Sequence, residues 1–430
     1  MPPYPASDEH RAPAQRVLVN GVHAKLSLAF VALLGFPPVL HPPPQPAVKL
    51  GVDVLLDSRI DLVAGKRVGL VTNASGVDGR LVPTSLRLHE DKRVKLVQLF
   101  APEHGLVGLG ANGQSDDDHV DPVTRVRVEG LLGKRRRPSP EALKRVDALI
   151  FDIQDVGNRP YTYITTLGEA MTAACAAGVP FIVLDRPNPL GGLVFEGPVR
   201  LPAHKSFIGW GPIPVTHGMT VGEVARFYDR ELGLGCDLTV VEMEGWKRWM
   251  LWRDTGLTWV PTSPAIPHDE TTLVYPATGM FAGATRNVNE GVGTTWPFET
   301  IAAEWIDPMT LWRAMVDEGL PGVRFRPITY KPRWHYRGKE ALGGVQLFVT
   351  DPRAFRPVRT ALALMTTVER LYPGQTEWRS DGAVARVWGI PRVPERVRAG
   401  ESVASFEASF RKGLRDFAAK REKALIYPLR

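Results

Sequence analysis

The sequence predicts an α/β protein in which a Rossmann-like, mostly parallel sheet domain precedes a second, smaller α+β domain. From Lys66 onward, short apolar runs alternate with helical stretches, which is the pattern of βαβ units. Four of these runs are continuously apolar and suit strands covered on both faces: residues 67–72, 94–100, 146–152 and 179–184. With 430 residues, 44% of them hydrophobic, the chain is long enough to bury two cores.

The segments between and after these runs supply the rest of the sheet domain. Residues 161–177 have the composition of a crossover helix, and Gly178 is suited to end it. A capping-box pattern beginning at Thr220 predicts a further helix through Glu231, and the apolar residues 238–243 predict a strand after it.

Proline-rich stretches predict the boundaries between the parts of the chain. The stretch 261–267 has the composition of a hinge, so we expect residues 48–260 to form the Rossmann-like domain. Residues 261–430 then form the smaller α+β domain. Residues 1–47 are interpreted as a signal-like segment with a proline-rich linker.

The N-terminal segment has the parts of a secretory signal. Basic residues precede an apolar run at 26–36, and prolines follow it. The run is shorter than the roughly 20 residues that a membrane-spanning helix needs. We therefore expect export to the periplasm or the exterior, with no stable membrane insertion beyond an N-terminal signal or anchor. A disordered proline-rich tail is the alternative interpretation.

The charge and the cysteine content of the chain limit the classes of function that the sequence supports. The formal net charge of +7 favours an ordinary basic surface over nucleic-acid binding, and the basic run 134–137 leads into prolines, as a solvated loop does. The two cysteines are too few for a disulfide framework and leave the compartment open. Cys175, in an alanine-rich helical stretch, is interpreted as a small buried hydrophobe.

Motifs for metals, nucleotides and nucleophilic serines are absent from the sequence. It has no His-x-x-x-His or paired-cysteine spacing for zinc, and no glycine-rich dinucleotide fingerprint follows the first predicted strand. It also lacks a Gly-x-Ser-x-Gly elbow. We therefore expect chemistry that uses side chains alone, without a metal or organic cofactor.

Polar residues follow each of the four predicted strands. Ligands of an open parallel sheet bind outside the carboxyl ends of its strands, although Asp, Asn and Pro also occur there as turn and cap residues. A glutamate beside a histidine has no obvious capping role, so Glu103 is the best candidate for proton transfer. His104 is either a second catalytic group or a packed histidine. The strand-end residues are Asn73, Glu103, His104, Asp152, Gln154, Asp155, Arg159, Tyr161, Tyr163, Asp185, Arg186 and Asn188.

Seven strings carry a resemblance to a known family. They are LVTNASG (70–76), LFAPEHGLVG (99–108), FDIQDVGNRPYTYITTL (151–167), VLDRPNPLGG (183–192), EGP (196–198), HGMTVGE (217–223) and GTTWPFE (293–299). With them, the chain resembles the exo-acting β-N-acetylmuramidases of peptidoglycan recycling over residues 51–355. The resemblance implies a Rossmann-like domain packed on a smaller one, with a cleft that removes N-acetylmuramic acid from the non-reducing end of peptidoglycan-derived glycan fragments.

The resemblance also implies roles for residues that match the family's motifs. Glu103 matches the glutamate of P-E-H-G and is expected to be the catalytic acid, with Asp152, Asp155 or Glu290 as the second carboxylate. His104 stays a catalytic candidate. We further hypothesise that Arg159 or Arg186 binds the lactyl carboxylate of the sugar. The expected substrate-binding residues are Asn73, Gln154, Arg159, Tyr161, Tyr163, Asp185, Arg186, Asn188, His217 and Glu290.

Two motifs depart from the family pattern. Ala265 replaces the asparagine of S-P-N-x-P. In the motif E-G-T-N-x-S-x-G-R-G-T, the chain has Ala282 for the glutamate and Val292 for the arginine, and this region is about two residues longer. A glycan-binding protein without activity, or with altered specificity, is therefore the alternative function. A nucleotide-dependent Rossmann enzyme is a third hypothesis.

Overall fold

The computed structural model describes residues 48–108, 110–111, 113–334 and 340–429. The predicted signal-like segment, residues 1–47, lies outside the described residues. Across them, the predicted fold class is confirmed: a mostly parallel sheet covered by helices is followed by a smaller part with an antiparallel sheet.

A seven-stranded sheet forms the first part of the fold. Its strands run in the order β3-β4-β2-β1-β5-β6-β7, and all neighbours are parallel except β3 and β4. Because the central strands are buried on both faces, they are continuously apolar, as the sequence predicts. The strands are β1 Arg67–Thr72, β2 Lys95–Ala101, β3 His119–Val120, β4 Arg127–Gly130, β5 Ala148–Asp152, β6 Phe181–Leu184 and β7 Leu238–Val241.

Helices cover both faces of this sheet. The capping box predicted at Thr220 is present, since its side chain accepts from the amide of Glu223 while the Glu223 carboxylate accepts from the amide of Thr220. The predicted crossover helix is also present and is somewhat shorter than expected. The helices of this part are α1 Gly51–Ser58, α2 Thr84–Glu90, α3 Pro140–Leu143, α4 Tyr163–Ala176 and α5 Val221–Leu232.

A second core forms around a three-stranded antiparallel sheet in the order β8-β10-β9. Residues 256–268 join it to the first part without helix or strand. Helix α8 packs on α6 at the centre of this core. Its elements are α6 Asp269–Ala282, β8 Thr300–Ala303, α7 Pro308–Asp317, β9 Val323–Tyr330, β10 Leu342–Val349, α8 Pro357–Leu371, α9 Asp381–Trp388, α10 Val393–Arg398 and α11 Val403–Glu422.

The C-terminal end of the chain returns to the first part of the fold. Phe417 and Ala424 belong to the core that lies against the parallel sheet. The hydroxyl of Tyr427 donates to Asp185 Oδ2 over 2.7 Å and accepts from the amide of Met243 over 2.8 Å. The last residues of the chain therefore tie its second part to the loops that follow β6 and β7.

The two cysteines form a disulfide, which the sequence interpretation of Cys175 did not anticipate. Cys175, near the end of α4, is bonded to Cys236, just before β7, and the two Cα atoms lie 4.8 Å apart. The crossover helix and the neighbouring edge strand bring together two residues 61 positions apart. Cys175 therefore forms a disulfide bond that joins α4 to the segment before β7, and is not a free, small hydrophobic residue.

No helix among the described residues is both long enough and apolar enough to cross a membrane. In the same part of the chain, no group of three or more His, Cys, Asp or Glu side chains is arranged to hold a metal ion.

Candidate functional site

Glu103 lies in the loop that follows β2, at the carboxyl edge of the parallel sheet. Its side chain is partly exposed. The hydroxyl of Thr162 donates to Oε2 over 2.7 Å, and the amide of Gly113 donates to Oε1 over 2.6 Å. Both oxygens therefore act as acceptors, which is the arrangement that suits an ionised carboxylate.

His104 holds the loop that carries this carboxylate. Its backbone has φ = 71°, in the left-handed region that few residues other than glycine adopt. Its ring Nδ1 lies 2.8 Å from the carbonyl oxygen of Gly110, and its amide donates to the carbonyl of Gln114 over 2.7 Å. The ring is buried. These contacts support the packed interpretation of His104 over the catalytic one, because they close the loop that places Gly113 against Glu103.

Aromatic rings connect the two parts of the fold at this edge. Tyr161 packs edge-to-face on Tyr163, with centroids 4.9 Å apart, and on Tyr275 of α6, with centroids 5.8 Å apart. Tyr275 in turn packs on Phe298 at 4.6 Å. The hydroxyls of Tyr161 and Tyr163 lie 2.6 Å from the side-chain and carbonyl oxygens of Thr262 respectively. Thr262, in the predicted hinge, is therefore hydrogen-bonded to both tyrosines.

Glu103, Asp155 and Glu290 act electrostatically on Tyr275, and these four residues define the crevice at this edge of the sheet. Burial raises the pKa of Tyr275, and the charges of Glu103, Asp155 and Glu290 raise it further. Glu103 and Asp155 also raise the pKa of Tyr163, after the larger effect of burial. The crevice therefore gathers one glutamate from the sheet part and one from the second part around the same tyrosine.

Glu290 is the carboxyl group that the second part of the fold supplies. Burial raises its pKa to about 7, an effect that Arg379 opposes. No hydrogen bond or ion pair joins its side chain to another described residue. Its neighbour Asn289 fixes the loop, because Asn289 Oδ1 accepts from the amide of Gly291 over 2.9 Å and from the hydroxyl of Tyr330 over 2.7 Å.

Asp155 and His217 form a buried polar pair behind the tyrosines. Asp155 Oδ2 accepts from the amide of Gly157 over 2.7 Å and lies 3.6 Å from His217 Nε2. The other ring nitrogen of His217 accepts from the amide of Met219 over 3.2 Å. Asp155 Oδ1 and His217 Nε2 have no hydrogen-bond partner among the described residues. This pair remains a candidate for contact with substrate.

Comparisons with known proteins decide the family. The models for the N-terminal and C-terminal domains of the exo-beta-N-acetylmuramidase NamZ match residues 68–270 and 273–427. The chain belongs to the NamZ family of exo-β-N-acetylmuramidases. The resemblance carried by the seven strings is thereby confirmed.

Relatives of known name and structure agree with this assignment. The chain is 44% identical over 383 residues to the peptidoglycan beta-N-acetylmuramidase NamZ of Bacillus subtilis, covering 89% of this chain and 92% of the relative. A DUF1343 family protein from Bacteroides fragilis, known from a crystal structure, shares 38% sequence identity with this chain. The two structures superpose with a TM-score of 0.83, and the match covers 90% of this chain and all of the Bacteroides chain. A second such protein from the same organism is 26% identical, with a TM-score of 0.70 over 88% of this chain and 99% of the other.

Asp152, a predicted catalytic residue, instead forms a buried ion pair. Arg186 donates to its two oxygens over 2.5 and 2.9 Å, and Thr84 Oγ1 donates to Oδ2 over 2.5 Å. Asp152 is 0% exposed and Arg186 2% exposed. Because both oxygens of Asp152 accept hydrogen bonds inside the fold, these contacts favour a structural role for the pair. The catalytic role of Asp152 and the lactyl-binding role of Arg186 stay predictions. In this NamZ family member the pair joins the ends of β5 and β6 to Val77 and Thr84, which follow β1.

We expect Asp152→Asn to destabilise the fold rather than to alter chemistry alone. The change leaves the Arg186 guanidinium buried without a counter-charge, which costs about 3–5 kcal/mol in free energy of unfolding. Urea denaturation measures this loss in the free energy of unfolding. Asp147→Asn is the matched control, because Asp147 pairs with Arg67 at the surface and its loss has a much smaller effect. Similar midpoints for both variants would contradict the structural role.

Arg159 also lies in the core rather than in the crevice. Its guanidinium donates to the carbonyls of Pro198, Ile213 and Val387 over 2.8, 3.1 and 2.9 Å. Arg159 is 0% exposed, and burial together with the nearby Arg200 lowers its pKa to about 9. These contacts favour a structural role for Arg159, and its binding of the lactyl carboxylate stays a prediction.

Asp185 and Asn188, two predicted substrate-binding residues, stabilise backbone turns. Asp185 accepts from the amide of Gly222 over 2.7 Å and from the Thr220 hydroxyl over 2.8 Å at the start of α5. Asn188 donates to the carbonyl of Met219 over 2.9 Å and accepts from the amide of Leu190. Both are buried, and these contacts support the turn-and-cap interpretation.

Asn73 and Gln154 connect the ends of β1 and β5 beneath the tyrosines. Asn73 Oδ1 accepts from both the amide and the hydroxyl of Ser75, whose hydroxyl also accepts from the amide of Gln154. Asn73 Nδ2 donates to the carbonyl of Thr262 over 3.4 Å. Gln154 Nε2 donates to the carbonyls of Asp155 and Pro187, while its Oε1 has no partner among the described residues. These two residues therefore lie on the sheet side of the crevice.

Sequence reasoning missed three residues that build this site. Thr162 lies inside a recognised string, between two tyrosines that were chosen, but a threonine gives no signal of its own. Thr262 lies in the predicted hinge, where the prolines and the motif departure at Ala265 were considered but not the threonine. Tyr275 lies on α6, more than a hundred residues from the tyrosines it packs against, and only the fold brings them together.

Proposed function

We propose that this chain is an exo-β-N-acetylmuramidase that releases N-acetylmuramic acid from the non-reducing end of peptidoglycan fragments. The observation that carries the proposal is the pair of carboxyl groups, Glu103 and Glu290, whose charges both act on Tyr275 in one crevice. Glycoside hydrolysis commonly uses two such groups. Membership of the NamZ family and 44% identity to a peptidoglycan beta-N-acetylmuramidase support the substrate class.

The surroundings of the two glutamates suggest different roles. Glu103 accepts two hydrogen bonds, which suits the ionised form that acts as base or nucleophile. Burial raises the pKa of Glu290 to about 7, so this carboxyl holds a proton in weakly acidic solution. We therefore assign the proton donor to Glu290 and the ionised carboxylate to Glu103. This reverses the role that the motif resemblance implied for Glu103.

The test is the end specificity of the reaction. We expect the protein to cleave a disaccharide with N-acetylmuramic acid at the non-reducing end and to leave the disaccharide of reversed order intact. Mass spectrometry of the products distinguishes the two. Cleavage of both disaccharides at similar rates would contradict the proposal.

A non-catalytic glycan-binding protein is the second candidate. The observation in its favour is the loss of a glutamate at Ala282 and of an arginine at Val292. Ala282, at the end of α6, is buried and carries no group that contacts a sugar. Binding of the first disaccharide without any cleavage by a folded protein would favour this candidate.

We further propose that the protein is exported. The disulfide between Cys175 and Cys236 supports this, because disulfides persist mainly in oxidising compartments. Thiol titration of denatured protein from the native cell tests it: no free thiol is expected in protein recovered outside the cytoplasm. Two free thiols, or protein found only in the cytoplasm, would contradict export.

A further inference from the structure

Two segments of the second part of the fold pair beside Glu290. The amide of Arg379 donates to the carbonyl of Ala284 and the amide of Arg286 donates to the carbonyl of Glu377, each over 2.9 Å. Thr285 and Trp378 form an antiparallel bridge between these bonds. The segment 375–379 is therefore held in register against the start of the loop that carries Glu290.

The side chain of Asn287 locks the same pairing. Asn287 Nδ2 donates to the carbonyl of Gln375 over 2.8 Å, and its Oδ1 accepts from the amide of Glu377 over 2.9 Å. This pairing falls in the region that is about two residues longer than the family motif. The longer loop thus forms a defined contact that fixes the position of Arg379.

Arg379 ends the paired segment and carries a charge that acts on Glu290. The residue is exposed, and its guanidinium makes no hydrogen bond or ion pair with any described residue. Its positive charge nevertheless reaches Glu290, whose pKa it lowers against the larger effect of burial. Val292, within Gly291-Val292-Gly293-Thr294, supplies no charge where the family motif has its arginine.

We propose that Arg379 binds the lactyl carboxylate of the N-acetylmuramic acid residue in the crevice. The inference rests on the proposed function. A planar guanidinium matches a carboxylate with two parallel N–H···O bonds, which makes it the suitable group for a lactyl carboxylate. A sugar without the lactyl group offers no partner for these two bonds. The two arginines expected from the sequence are buried, and their guanidinium groups already donate to oxygen atoms of the fold.

Substitution of Arg379 by methionine tests the inference. Loss of one charge-assisted interaction predicts that Arg379→Met weakens binding of methyl β-N-acetylmuramide about 10- to 100-fold, measured by calorimetry. Binding of methyl β-N-acetylglucosaminide, which lacks the lactyl group, stays within about twofold of the unmodified protein. In hydrolysis the loss is expected in KM more than in kcat, because the lactyl group does not react.

Arg286→Met is the matched control. Arg286 is exposed and lies in the same paired segments, but its charge is not among those that act on Glu290. We expect this variant to bind both sugars normally, and both variants to unfold at the same temperature as the parent. Equal binding of the muramide by Arg379→Met and the parent overturns the inference, as does a loss confined to Arg286→Met. Failure of the parent to bind the muramide overturns it too, whereas binding without hydrolysis contradicts the proposed function alone.

Discussion

Glu103→Gln is expected to lower kcat for N-acetylmuramide hydrolysis by about 10²–10⁴-fold, the range for a positioned acid–base or nucleophilic group. The amide is nearly isosteric with the carboxylate, so the contact with Thr162 can persist while the negative charge is lost. Because Glu103 is partly exposed and carries no buried ion pair, the unfolding temperature should stay close to that of the parent. Steady-state rates beside a thermal unfolding curve measure both effects.

The control for Glu103→Gln is Glu141→Gln. Glu141 is an exposed glutamate on α3 of the same sheet part, and its substitution removes the same charge at a distance from the crevice. We expect its kcat to match that of the parent. A Glu103→Gln variant that keeps more than roughly a tenth of the parental kcat falls outside the range for such a group and would rule out its role.

Glu290→Gln is expected to remove the alkaline limb of the pH–rate profile. In the parent, Glu290 is protonated below its pKa of about 7. The protonated fraction, and with it the rate, then falls roughly tenfold for each pH unit above that value. Without the carboxyl, the rate below that pKa should drop by about 10²–10⁴-fold and no longer fall as the pH rises.

The leaving group separates proton donation from other roles of Glu290. A nitrophenolate departs without a proton, whereas a sugar alkoxide requires one, so Glu290→Gln should impair disaccharide cleavage far more than nitrophenyl release. Glu196→Gln is the matched control: burial raises the pKa of Glu196 to about 7 as well, but it lies beside the start of α8. An alkaline limb that survives in Glu290→Gln and disappears in Glu196→Gln would refute the assignment.

The strands and their polar ends could be predicted from local pattern. Continuous apolar runs place β1 at its observed bounds, and the parallel arrangement brings Asn73, Glu103 and Gln154 to one edge of the sheet. The capping box at Thr220 is likewise a local signal, because its two reciprocal bonds join residues three positions apart.

Local pattern could not predict which strand-end residues take part in chemistry and which ones stabilise the fold. Asp152 and Glu103 both follow an apolar run, but only the fold shows that Arg186, 34 positions away, occupies both oxygens of Asp152. The contact of Tyr275 with Tyr161 and the disulfide at Cys175 also join distant segments. Arg379 has no motif at all, and its position depends on the pairing with residues 284–287.

The most direct test of the central claim is the rate at which the unmodified protein releases nitrophenol from nitrophenyl β-N-acetylmuramide, measured below the pKa of Glu290. The account predicts sustained turnover that Glu103→Gln abolishes, with no comparable release from the corresponding β-N-acetylglucosaminide. A folded protein that binds the muramide and releases no nitrophenol would contradict it.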